Sequence, residues 1–282
     1  MISASLGDSR VPQEESSVMG TGAPKPDVDA WLAEASRHFY ERIEAAVELS
    51  RASAGQHTME RLGWSTWVFT RIVAIGVNIS KLLEKGRYDG VGIDTLDYGC
   101  VGSLGRDLLE TTLTFFYVSE KVSPDGWRLR KRIFDLHDCV SREQLFRFQG
   151  AVEQADMHAQ TIPELKQRIL REPAFHNLSA LYRNKLIKGE MARVASTEDL
   201  VVAAGADFDH YKAMVKLLSA NIHAIPLAWY RMDEGGRGAG VGSEVDKGYT
   251  ALILDYLNGF LDAANVRMRL VLEELKGTAA LC

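Results

Sequence analysis

The 282-residue chain is expected to fold as an all-α protein, an up-and-down helical bundle with peripheral short helices. Three observations predict it. Apolar residues recur at intervals of three and four over long stretches, no stretch alternates apolar and polar residues with period two, and no proline occurs between Pro26 and Pro124.

Residues 1–26 are rich in Ser, Gly, Pro and Glu, lack a hydrophobic period and end in Ala-Pro-Lys-Pro at 23–26, so a disordered tail is expected there, with a single helical domain over 27–282. A first helix is predicted from Asp27 to about Ser53, where Leu32, Ala35, Phe39, Ile43, Ala46 and Ser50 draw one stripe. A second runs from about Leu62 to Lys85 and stops at Gly86. A third begins near Asp94 and continues to Lys121, and Pro124 then suits the first turn of a fourth over about 124–150.

Two shorter helices are expected near 161–171 and 174–188, punctuated by Pro163 and Pro173. Thr197-Glu198-Asp199 reads as the cap of another. The segment 208–232 is again helical, with a kink or local break expected at Pro226. Residues 234–242 form a glycine-rich loop, and a last helix over about 245–276 aligns Tyr249, Ile253, Tyr256, Leu257, Phe260 and Ala264.

Hydrophobic residues make up 46% of the chain and charged ones 25%, ordinary globular proportions. The formal net charge of -5 argues against binding nucleic acid through bulk electrostatics, though not against a local basic patch. Cys100, Cys139 and Cys282 stand far apart with no Cys-x-x-Cys pair, as reduced thiols of a cytoplasmic protein would. No basic-then-apolar leader opens the sequence, and Arg71, Asn78 and Lys81 break up its most apolar stretch, so a cytoplasmic protein without a membrane partner is expected. Gly-Gly-Arg-Gly-Ala-Gly-Val-Gly at 235–242 matches neither phosphate-loop pattern and reads as a connector, so no cofactor is expected.

Several polar residues interrupt apolar helices. Arg106 and Glu110 lie four apart on the third helix and can pair on one face, as a buried clamp or as part of a site. His137 shares a face with Leu129, Ile133, Leu136 and Val140, and Arg132 precedes it by five residues. That spacing resembles the Arg-x4-His motif of HEPN proteins, in which arginine and histidine act on the scissile phosphate and its neighbouring hydroxyl, against the alternative of a satisfied core histidine. Tyr211, Ser219 and His223 mark a polar stripe on the 208–232 helix. Glu110, His137 and His223 would form a metal site only if their helices met, and no metal motif supports one. Trp-Arg-Leu-Arg-Lys-Arg at 127–132 would suit a phosphate backbone but reads more simply as solvated helix surface, and the run from Arg183 starts like a HEPN Arg-Asn motif but has Lys188 in the place of that motif's histidine, so it is not a match.

The order of these features, Arg106 and Glu110 leading into Thr114-Phe115-Phe116-Tyr117, then Leu136-His137, then Tyr211, Leu218-Ser219 and His223, resembles an uncharacterised bacterial all-helical family loosely similar to the HEPN superfamily of toxin–antitoxin and phage-defence loci. The resemblance covers roughly residues 60–265. It implies a polar cluster of Arg106, Glu110, His137 and His223 and an RNA- or nucleotide-directed role, as a metal-independent ribonuclease if catalytic, usually in a homodimer. Arg132, His137 and His223 would be the catalytic residues, and Arg106, Glu110, Tyr211 and Ser219 the binding ones. Ile133 stands where a polar residue follows the arginine in that superfamily, and no arginine lies within six residues upstream of His223. The alternatives are a non-catalytic module whose ionic cluster is structural and whose ligand is a protein partner, and a bundle that binds a small molecule or metal.

Overall fold

The computed structural model describes residues 27–55, 61–84, 96–223, 226 and 243–279, and among them every regular element is an α-helix. In chain order these are α1 (Val28–Ala52), α2 (Arg61–Leu83), α3 (Tyr98–Ser119), α4 (Pro124–Phe148), α5 (Val152–Leu170), α6 (Pro173–His176), α7 (Ala180–Ile187), α8 (Thr197–Ala203), α9 (Phe208–Ile222) and α10 (Glu244–Ala279). The expected tail over 1–26, the glycine loop and most of the Pro226 region lie outside the described residues.

Side-chain caps start most of these helices. Asp27, Ser123, Ser179 and Asp207 each accept from an otherwise orphaned backbone N–H, and Ser196 and Asp199 form a reciprocal capping box at α8. The predicted cap at Thr197 is displaced by one residue, because Ser196 supplies the hydroxyl and Asp199 the returning carboxylate.

Helices α1, α2, α3, α9 and α10 build the main bundle. Trp31 bonds Asp255, the Ala35 carbonyl accepts from Asn258 and the Arg42 carbonyl from Asn265, so α1 and α10 run in the same direction. Tyr98 stacks on Tyr249 at 4.9 Å and Arg267 lies 5.3 Å over Phe116, so α3 runs with them. Helices α2 and α9 run the opposite way: Arg61 bonds the Ser119 carbonyl and Arg71 pairs with Asp107, while Tyr211 meets Glu110 and Ser219 meets Arg106, so position along α3 falls as either helix advances. The stripe foreseen on α1 buries Ala35, Phe39, Ile43 and Ala46 in one core with Phe69, Leu109, Phe115 and Leu257. α2 is long and apolar enough to cross a membrane by length and composition, and here it places Phe69, Ile72, Ile75 and Ile79 in that core.

Between α3 and α9 the chain makes an excursion with a second core of its own, formed by Leu129, Ile133, Leu136, Ile169, Phe175 and Leu186. Trp127 and Phe134 of α4 tie this lobe to the bundle by packing edge-on against Trp64 of α2, at 5.3 and 5.4 Å. The return segment 188–196 packs Val194 against both cores. Gly189 begins it at φ +74, a left-handed conformation that L side chains rarely adopt, and a methyl group at this Cα would fall 2.8 Å from Val140 Cγ2.

Two boundaries differ from those expected. α5 starts at Val152 and holds Pro163 in its interior instead of opening near 161. Pro163 is on the exposed side, where solvent can take up the carbonyl that loses its partner. The helix expected over 174–188 is two, because Leu178-Ser179 breaks it and Ser179 caps the second.

Candidate functional site

Glycines let α3 approach its neighbours closely. A Cβ on Gly102 would stand 3.3 Å from Leu218 Cδ2, and one on Gly105 would stand 3.2 Å from Leu257 Cδ1. Arg106 follows directly and reaches across to α9, where its Nε donates to Ser219 Oγ at 3.3 Å and its Nη1 to the Tyr211 hydroxyl at 3.4 Å. Nη1 also pairs with Glu110 Oε1 at 2.5 Å, and the Tyr211 hydroxyl donates to the same oxygen at 3.0 Å. Arg106, Glu110, Tyr211 and Ser219 therefore meet in one network. The i, i+4 pair on α3 faces an i, i+8 pair on the antiparallel α9, two turns against one.

A fifth member comes from outside both helices. Arg193, on the return segment, places Nη2 3.5 Å from Glu110 Oε2, and its Nη1 is buried with no hydrogen bond among the described residues. Tyr211 is 3% exposed, whereas the Glu110 side chain remains 37% exposed and those of Arg106 and Arg193 are 22% and 23% exposed, so the network reaches the surface through its charged groups. Burial alone would raise the Glu110 carboxyl, but the hydrogen bond and charge of Arg106, helped by Tyr211 and Arg193, outweigh it and hold the carboxyl below its ordinary value. Burial and then the Glu110 charge push the Tyr211 phenol up to about 12, so it is a neutral donor at any physiological pH. Two guanidinium cations, one carboxylate, a phenol and a hydroxyl leave the cluster with one net positive charge.

The other candidates lie elsewhere. Arg132 pairs with Glu172 at 2.5 Å and donates to the Arg168 carbonyl, inside the lobe of α4 to α7. His137 is half-buried on α4, and His223 is exposed at the C-cap of α9, one turn beyond Ser219. Neither histidine makes a side-chain hydrogen bond among the described residues, and no group of three or more His, Cys, Asp or Glu side chains there is placed to hold a metal ion.

The basic run of α4 is mostly neutralised rather than solvated. Arg128 pairs with Asp125 at 2.6 Å, and Arg130 is buried with its guanidinium 4.2 Å over the Tyr117 ring, bonded to the Tyr117 carbonyl and to Glu120. Trp127 is buried as well, so only Lys131 of this run projects without an ion pair among the described residues.

Sequence reasoning missed Arg193 and Glu172. Arg193 sits in irregular backbone with no periodicity to assign it a face, and Glu172 looks like an ordinary surface carboxylate beside Pro173 until α6 turns it inward. No protein-family model, no curated protein and no solved structure matches the chain.

Proposed function

We propose that the chain is a HEPN-like helical protein of bacterial stress or phage-defence type that binds RNA or a nucleotide through the Arg106–Glu110–Tyr211–Ser219 network and Arg193. The observation that carries this reading is the Arg193 guanidinium, which comes to a part-exposed, net positive cluster with one nitrogen buried and unbonded among the described residues. A buried donor without an acceptor costs ~1–3 kcal/mol, and a phosphate oxygen is the acceptor that arginine's planar fork suits best. Arg106, already oriented by Glu110 and Ser219, supplies a second cation, and Ser219 a neutral hydroxyl.

Binding without cleavage is the more economical form of this reading. Arg132 is committed to Glu172 and to a backbone carbonyl, and neither His137 nor His223 bonds to it among the described residues. General acid–base cleavage needs its groups within hydrogen-bond reach of one reacting phosphate.

The competing reading is a protein-interaction module in which the network is a clamp. It is favoured by one specific feature: Glu110 receives Arg106, Tyr211 and Arg193 together, as a carboxylate that fixes helix register would. The full-length protein separates the two when it is titrated with labelled RNA and with nucleotides, and assayed for RNA cleavage beside His137→Ala and His223→Ala. Saturable binding without histidine-dependent cleavage supports the proposal. Cleavage lost in either variant would contradict the binding-only form, and no binding to any RNA or nucleotide leaves the clamp.

A further inference from the structure

We infer that the cleft between the α8–α9 turn and the middle of α10 is a binding site for a small organic cation bearing an alkylammonium group. The cleft encloses about 360 Å³ and is lined by Asp207 and His210 on one side and Asp255, Tyr256, Gly259 and Phe260 on the other. That volume lies at the lower end of small-ligand pockets, which run from ~300 to ~1,000 Å³.

Its charge is one-sided. Among the described residues no lysine or arginine lines it, and two carboxylates do. Asp207 accepts the His210 backbone N–H at 2.7 Å as the cap of α9, and Asp255 accepts the indole N–H of Trp31 at 2.6 Å. Both partners are neutral, and neither carboxylate has an ion pair among the described residues. Lys212, whose charge also feels Asp207, is taken by Asp209 at 2.6 Å. The walls are aromatic: Tyr256 and Phe260 lie 5.3 Å apart at 48°, and the His210 ring meets Tyr256 edge-on at 4.8 Å. Carboxylates beside aromatic faces attract an organic cation through both charge and ring quadrupole, and they repel an anion. A Cβ on Gly259 would touch nothing within 4 Å, so this position keeps the cleft open without serving the core.

None of these residues belongs to the arginine network, so the test leaves the phosphate reading untouched. The full chain is titrated by calorimetry with choline, with ethanolamine, and with 3,3-dimethyl-1-butanol, the uncharged isostere of choline. At least one ammonium compound is expected to saturate the protein, with the isostere ~tenfold weaker or undetectable. Asp255→Asn, which keeps an acceptor for Trp31, and Gly259→Leu, which fills the cleft from an open position, are each expected to weaken that binding about tenfold without lowering the thermal melt, which Gly259→Leu should raise by removing a glycine from the interior of α10. The inference is overturned if neither ammonium compound saturates the protein, if the isostere binds equally well, or if both variants bind like the wild type.

Discussion

Tyr211 donates its hydroxyl hydrogen bond to Glu110 across 3.0 Å, joining residues 101 positions apart and turning an i, i+4 ion pair on α3 into a contact between two helices. Tyr211→Phe keeps the ring, which is 3% exposed, and removes only the hydroxyl, which donates to Glu110 and accepts the longer, 3.4 Å bond from Arg106. Glu110 retains Arg106 and Arg193, so the loss is expected near the ordinary value for one hydrogen bond to a charged group, ~1.5–3 kcal/mol, read as a shift in the urea midpoint. An unchanged midpoint would mean that the contact contributes nothing to the fold.

The same network gives stability a pH profile. The Glu110 carboxyl is held below its ordinary value, so its contribution is present above the unfolded value of about 4.5 and is lost as pH falls through the lower, folded one. The Tyr211 phenol is raised to about 12, so its contribution is complete below the unfolded value of 10.0 and is lost as pH rises from there towards 12. Glu110→Gln is expected to flatten the acid limb of a stability–pH curve and Tyr211→Phe the alkaline limb. Wild-type limbs retained in both variants would contradict these assignments.

Arg132 is expected to matter for folding rather than chemistry. The Glu172 side chain is 5% exposed, and among the described residues Arg132→Ala would leave that carboxylate with only Arg128, 3.9 Å away and half exposed. Removing one partner of a buried pair costs ~3–5 kcal/mol, and the 30% exposure of Arg132 places this one at or below the lower end. Arg132→Met combined with Glu172→Leu should recover most of the loss, because it removes both charges. A double variant as unstable as Arg132→Ala would show that the pair does more than neutralise itself.

The α1–α10 seam carries a different kind of polar group. Asn258 donates to the Ala35 carbonyl at 3.2 Å, while its own Oδ1 is buried without a hydrogen bond among the described residues, and Asn265 repeats the arrangement seven residues on against the Arg42 carbonyl. Asn258→Leu exchanges an orphaned acceptor for apolar contact and is expected to stabilise the protein by ~1 kcal/mol, seen as a higher melting temperature. Destabilisation of that size would show that the asparagine is needed where it stands, for helix register.

Much of this architecture was legible in particular residues. The stripe on α1, the first-turn position of Pro124 and the Arg106–Glu110 spacing all follow from local periodicity and chain chemistry, and the helices they predict are present. What local pattern does not contain is which helix faces which. Ser219 and Tyr211 meet Arg106 because Gly102 and Gly105 bring α3 close to its neighbours, and Arg132 turns from its histidine towards Glu172, forty residues on. Arg193 was invisible for a simpler reason: irregular backbone assigns no face to a side chain.

The measurement that bears most directly on the proposed function is the affinity of a fluorescently labelled single-stranded RNA for the wild-type protein and for Arg193→Ala, by anisotropy at fixed salt. The substitution removes an unbonded buried donor and one 3.5 Å ion pair from irregular backbone, and Glu110 keeps Arg106 and Tyr211, so the fold should be spared. Saturable wild-type binding, weakened about tenfold or more in the variant and falling with rising salt, is the predicted result. Equal affinities for the two proteins, or no binding by either, would contradict it.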